Sequence, residues 1–411
     1  MKQIYFLIII LSSLATKLTF AEYPYEVLEK QYTVQDSKST FEVSNVSPTK
    51  SQDGVGLCYG FTATTLIENF RCQELKLNCL DQSEQLSSLD VSSYYLSSTQ
   101  KSIQEAGNTH TLLSNFNRSK RKVVKEECAK FSTLVHKSHQ QFNPSEGQGW
   151  KFLTSLWNNF KEKSKKQQLE YVSCYTSNVK NKMKSLNTPE NQLRSAFLTA
   201  DSLESFLYKA IVPEQCLLDE KNSVQIPNFA LNGYPAPGEK ASKVDIMNKI
   251  EKVLLNNIPL EMSICTDENA KTNCEDGKGH SITLFGIKEA CHPTTNDCRM
   301  MVRVKNSYGW GWQRDNNDGW VDLETITKAS MAQTTFNNIN WISKPGSKLE
   351  NKTLPKKQST ISTYTNETKP EQKKYTKVPD KYKNYVGIWK CPGSTYLDHF
   401  ETGCVPFMDM K

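Results

Sequence analysis

The segment Val46–Phe70, VSPTKSQDGVGLCYGFTATTLIENF, constrains this chain more than any other stretch. Gly54 and Gly56 permit a tight backbone approach, and from Phe61 onward the apolar residues recur at helical spacing. Cys58 is therefore predicted to stand where a loop becomes a helix N-terminus. There the unpaired N–H groups and the helix dipole favour the thiolate, which is the nucleophilic form of cysteine. Gln52, six residues earlier, is placed to turn its amide N–H toward the same point. Together with the backbone N–H of Cys58 it makes a pair of donors for an oxyanion. Taken alone, such a cysteine in an exported chain reads as half of a disulfide.

Two later segments change that reading. GKGHSITLFGI places His280 at the start of an apolar, β-rich strand, and VKNSYGWGWQRDNNDGWVDL places Asn306 at the end of the next one. A cysteine on a helix, a histidine on a strand and an amide to orient the imidazole form a complete nucleophilic constellation. The other histidines, His110, His136, His139, His292 and His399, read as structural.

The three motifs, in this order, resemble those of the papain family of cysteine peptidases. SQDGVGLCYGFTA resembles the family's nucleophile motif, with VSPTKSQ matching the strand that leads into it. HSITLFGI resembles its histidine strand, and VKNSYGWGW its Lys-Asn-Ser-Trp-Gly-x-Gly-Trp motif. The resemblance implies an α+β, two-lobed fold, with a helical left lobe, a β-barrel-like right lobe and the site in the cleft between them. It implies Cys58 as nucleophile, His280 as general base and acid, Asn306 as orienter and Gln52 as oxyanion donor, acting on protein or peptide substrates without a cofactor.

The departures are specific. Val55 replaces the family's cysteine three residues before the nucleophile, so one family disulfide is absent. Tyr59 and Tyr308 stand where tryptophan is usual, and both keep an aromatic face. The family's Cys-x-Gly-Gly substrate segment has no clear counterpart; NGYP at Asn232–Pro235 is a faint echo of it. His280 and Asn306 follow Cys58 by 222 and 248 residues, against a family spacing of about 130–150.

A helical insertion accounts for most of that excess. Residues from about Thr99 to Ala200 are poor in Gly and Pro and rich in Lys, Gln, Ser and Asn. Within them Trp150, Leu153, Trp157 and Phe160 form one face of an amphipathic helix, read as packing onto the body. A short apolar run, Ile4–Leu14, behind Lys2 and ahead of Thr19-Phe20-Ala21, reads as a secretory signal over residues 1–21. No integral membrane segment is expected after its removal, which directs the chain to the medium, a periplasm or a digestive compartment.

Charge argues against a nucleic-acid-binding fold. The chain's +7 arises in Lys344–Lys383, which holds 11 Lys against 4 Asp and Glu; once the signal's Lys2 and Lys17 are gone, the rest of the chain is near −2. The expected organisation is a peptidase domain over 22–343, a Lys/Thr/Ser/Pro-rich linker over 344–382 and a small module over 383–411. That module either tethers the enzyme to a surface or substrate or is a mere appendage.

With Cys58 set aside, 11 cysteines remain. Cys72/Cys79, Cys265/Cys274, Cys291/Cys298 and Cys391/Cys404 are local pairs that an oxidising compartment closes. Of Cys128, Cys174 and Cys216, two can bridge the insertion and one stays unpaired. No pair has Cys-x-x-Cys spacing, so no zinc or other metal site is expected. Val46–Ser51 already resemble mature enzyme, which leaves no room for a helical prosegment ahead of Gln52; the insertion is then either a lid that restricts entry or an elaboration without contact to the site. Two rival readings are a catalytically silent papain-like binding protein and a Cys/His cell-wall peptidase or amidase on another fold.

Overall fold

A computed structural model of the chain describes residues 39–134, 148–266, 279–292, 298–331 and 338–354, with two short pieces at 389–390 and 405–406. The signal segment, Cys274, most of the linker and the Cys391/Cys404 pair lie outside the described residues. Chain contacts define two units, Met1–Lys356 and Lys357–Lys411. In the second, the described residues are an antiparallel pair, Trp389–Lys390 against Val405–Pro406.

The first unit is α+β, with a helical part and an antiparallel sheet, each around its own apolar cluster. Helix α1, Cys58–Leu75, is the axis of the helical part: every residue from Tyr59 to Cys72 is buried. A helix apolar or small on all faces is stable only when surrounded. It ends at Lys76, which takes a left-handed conformation (φ 54°) and returns its N–H to Cys72 and Gln73. The Cys72–Cys79 disulfide closes the turn that follows. Gly60 lets α2, Ser88–Ser92, approach closely, since a Cβ there would lie 1.8 Å from Ser92 Oγ.

Helix α3, Thr109–Arg118, buries Leu112, Leu113 and Phe116 in the cluster around α1. The other helices of the Thr99–Ala200 stretch are α4 (Gln148–Lys161), α5 (Lys165–Lys182) and α6 (Glu190–Thr199), followed by α7 (Leu203–Ile211). The stripe Trp150, Leu153, Trp157 and Phe160 is buried. Trp157 stacks on Phe206 at 4.7 Å and Phe160 meets Phe197 at 5.1 Å, so these aromatics form a core that welds the added helices to the body. Cys128–Cys216 spans the same region, and Cys174 is free and exposed.

The sheet has seven strands: β1 (Ser39–Glu42), β2 (Ala230–Tyr234), β3 (Leu260–Cys265), β4 (Gly279–Cys291), β5 (Cys298–Lys305), β6 (Trp320–Asp322) and β7 (Ile339–Ser343). Their order is β2-β7-β3-β4-β5-β6, with β1 on the second half of β4. Helices α8 (Lys243–Leu255) and α9 (Leu323–Met331) cover the apolar face through residues such as Ile250, Leu254 and Ile326. The Cys291–Cys298 disulfide closes the β4–β5 hairpin, and Cys265 is also disulfide-bonded. Period-two alternation divides each strand. In β3, Leu260, Met262 and Ile264 enter the sheet core, whereas Glu261 and Ser263 face the other way.

The start of the Lys-rich stretch is anchored to the first unit. Leu349 and Leu354 pack on the sheet core, and Asn256 exchanges two hydrogen bonds with the backbone of Glu350. Two leucines thus hold to the body a segment whose composition reads as linker. Among the described residues, no helix is long and apolar enough to cross a membrane.

Candidate active site

Cys58 opens α1, half-buried and free. The backbone N–H groups of Ser281, Tyr59 and Cys58 itself work to lower its thiol. The helix brings two of them, and β4 brings the third from the residue directly after His280. Thr62, one turn into α1, fixes the contact by donating to the Ser281 carbonyl at 3.1 Å.

Strand register supplies the other side chains. Thr283 of β4 faces Lys305 of β5. Continuing that register sets Tyr308 opposite His280, with Asn306 on the diagonal. His280 Nε2 donates to Asn306 Oδ1 at 2.9 Å, and the Tyr308 N–H donates to the same oxygen at 3.3 Å. Asn306 is fully buried. The Tyr308 ring stacks on the imidazole at 4.6 Å and 22°. Burial, and then the charge of Cys58, push the Tyr308 hydroxyl up to about 12.

Gln52 is pinned in the loop ahead of α1. Its backbone N–H donates to the Ser307 carbonyl at 2.7 Å, and its Oε1 accepts from the Ser307 hydroxyl. Its amide nitrogen gives one N–H to the Val55 carbonyl at 2.8 Å, leaving the second. Cys58, His280, Asn306 and Gln52 are thereby tied into one constellation through Ser281 and Ser307. Burial pushes the His280 imidazole down to about 4, against the pull of its bond to Asn306. Burial likewise pushes the Cys58 thiol up, against the Ser281 and Tyr59 N–H groups, and the charge of Glu261 adds to the rise. Each group by itself is held neutral, so transfer of the thiol proton to the imidazole creates two charges that stabilise one another.

Sequence reasoning missed the segment Gln104–Thr109. Ala106 N–H donates to the Gly56 carbonyl at 2.9 Å, and the Tyr59 hydroxyl donates to the Gln104 carbonyl at 2.6 Å. Gly107 lies flat on the Tyr59 ring, where a Cβ would come within 2.8 Å. The segment therefore borders the loop that leads into Cys58, whereas the NGYP echo belongs to β2 and pairs with β7. A pocket of about 940 Å³ opens beside the same loop. Its walls include Val55, Glu105 and Glu204 and, from α4, Thr154, Ser155 and Asn158.

A buried charge cluster backs the site. Glu68 of α1 accepts from Ser47, from Lys50 Nζ at 3.0 Å and from the Leu86 N–H at 2.6 Å. Lys305, the residue before Asn306, donates to Ser47 at 3.0 Å. Burial works to raise the Glu68 carboxyl, but the Lys50 and Lys305 ammoniums outweigh it and hold the group below the usual carboxylate range. Burial pushes Lys305 down to about 7.

No family model matches the chain, and no curated protein matches it in sequence. In structure the chain is similar, at low identity, to papain-like cysteine proteases. One is the bromelain protease from Ananas comosus, with 11% identity, covering 74% of this chain and 99% of that one at a TM-score of 0.34. Another is digestive procathepsin L 3 of the Tenebrio molitor larval midgut, with 11% identity, 76% and 72% coverage and a TM-score of 0.38. A third is xylellain, a cysteine protease from Xylella fastidiosa, with 10% identity, 74% and 86% coverage and a TM-score of 0.39.

Proposed function

We propose that this chain is a papain-like thiol endopeptidase that hydrolyses proteins through a cysteine acyl-enzyme. The supporting observation is the His280–Asn306 hydrogen bond at 2.9 Å. With Nε2 engaged by Asn306, Nδ1 is the nitrogen left to exchange a proton with Cys58. In the first step Cys58 Sγ attacks the scissile carbonyl carbon as its proton passes to His280. The carbonyl oxygen becomes an oxyanion, held by the second amide N–H of Gln52 and the backbone N–H of Cys58. Collapse breaks the C–N bond, His280 gives its proton to the leaving amine, and a thioester remains on Cys58. Water, deprotonated by His280, then attacks the thioester; the acid product leaves and the thiol is restored.

Asn306 takes no proton; it fixes the imidazole plane. The disulfides support an exported enzyme working where thiols oxidise, with Cys58 kept free. The module over 383–411 either tethers the enzyme to a surface or substrate or is a mere appendage. Labelling with a thiol-reactive epoxide, followed by mapping of the modified residue, tests the assignment. Modification of Cys58 that slows in His280→Ala is expected; modification of the exposed Cys174 alone would count against it.

A further inference from the structure

Glu261 of β3 is fully buried between the sheet and the helical part, on the face that meets α1 and α3. Its Oε1 accepts from Ser263 Oγ at 2.6 Å and Ser281 Oγ at 3.1 Å, and its Oε2 accepts from Asn340 Nδ2 at 2.6 Å. Ser281 is the residue whose carbonyl receives Thr62 of the Cys58 helix at 3.1 Å and whose N–H works to lower the Cys58 thiol. The Ser281 hydroxyl also meets Thr109 Oγ1 at 2.9 Å, and Thr109 donates to the Tyr59 carbonyl at 3.3 Å. The carboxyl is therefore one side chain away from the backbone that seats the nucleophile. Resting on the peptidase reading above, we propose that Glu261 is a positioning residue and proton switch for Cys58: it holds Ser281 in place, and loss of its proton sets a negative charge behind the sulfur that opposes the thiolate.

A buried carboxylate among neutral donors is costly, and three hydrogen bonds offset only part of that cost. Burial accordingly pushes Glu261 up to about 7 against the pull of Asn340, Ser263 and Ser281, so its charge changes near neutrality. The titratable groups near it are Cys58 on α1, whose thiol its charge raises, and His110 on α3, reached through Asn340 Oδ1 at 2.9 Å; His280 pairs with Ile264, one position along β4 from Ser281. Lys305, farther across the sheet, is turned to Ser47 and Glu68. Both protonation states satisfy the network. Ionised, Glu261 accepts from Ser281; protonated, it donates to Ser281 Oγ, which donates to Thr109 Oγ1, which donates to Tyr59. The proton comes from solvent and returns there, and no covalent bond changes.

The rate of iodoacetamide alkylation of Cys58 against pH tests this in the full chain carrying Cys174→Ser. Alkylation reads the thiolate without requiring peptide hydrolysis, so a chain that binds but does not cleave still gives an answer. The expected wild-type profile has an inflection near neutrality that Glu261→Gln loses, with several-fold faster alkylation above it. Asn340→Ala removes one donor to the charged form and should move the inflection up by about one pH unit, which serves if Glu261→Gln does not fold. A wild-type profile with no such inflection, an inflection retained in Glu261→Gln, or one unmoved in Asn340→Ala would overturn the proposal.

Discussion

The ring of Tyr308 lies on the imidazole of His280, with centroids 4.6 Å apart and planes inclined by 22°. It covers one face of the imidazole, whose Nε2 donates to Asn306. Tyr308→Ala should let water compete for that bond and lower kcat/KM several-fold, whereas Tyr308→Phe, which keeps the ring, should change little. Stopped-assay kinetics on a short fluorogenic peptide compare the two.

In the proposed mechanism Asn306 orients and His280 reacts, so their removal should differ in degree. Asn306→Ala is expected to lower kcat by roughly 10- to 100-fold, the scale of a misoriented catalytic group. His280→Ala should abolish turnover. Equal losses in the two variants would mean that orientation is not what Asn306 supplies.

The depressed Glu68 carboxyl makes stability depend on pH. Its folded pKa lies below the unfolded value of about 4.3, so its stabilisation is full above that value and is lost as pH falls through the folded one. Glu68→Gln leaves the buried Lys305 without its carboxylate and the half-buried Lys50 with only Glu126, and should cost about 3 kcal/mol at neutral pH. Urea unfolding at neutral and strongly acidic pH should show the gap between variant and wild type closing in acid.

The pocket beside the nucleophile loop has α4 as one wall. Asn158→Trp should obstruct it while leaving Cys58 untouched. Cleavage of an unfolded protein should then slow several-fold, with a dipeptide reporter barely affected. Equal slowing of both substrates would show that the pocket does not hold extended substrate.

The sequence announces those parts of the site whose chemistry is local. Cys58 is legible because glycines precede it and a helical pattern follows, and His280 and Asn306 because each ends or begins a β-rich run. Glu261 is not legible: within LEMSIC it looks like the solvent-facing residue of an alternating strand, and its partners Ser281 and Asn340 lie 20 and 79 residues away. Gln104–Thr109 escapes for a similar reason. It contains neither a cysteine nor paired glycines, and its place beside Cys58 is set by the Tyr59 ring against Gly107. The Lys-rich composition after Ile342 also hides Leu349 and Leu354, two apolar residues that are enough to dock the segment on the sheet.

The central claim is that the Cys58 thiol forms and breaks the acyl bond. Peptide hydrolysis by Cys58→Ser, measured beside wild type on preparations with matching circular dichroism, tests it most directly. A serine hydroxyl at that site is far harder to ionise, and the account predicts loss of hydrolysis with the fold and the binding of peptide retained. Undiminished hydrolysis by Cys58→Ser would contradict it.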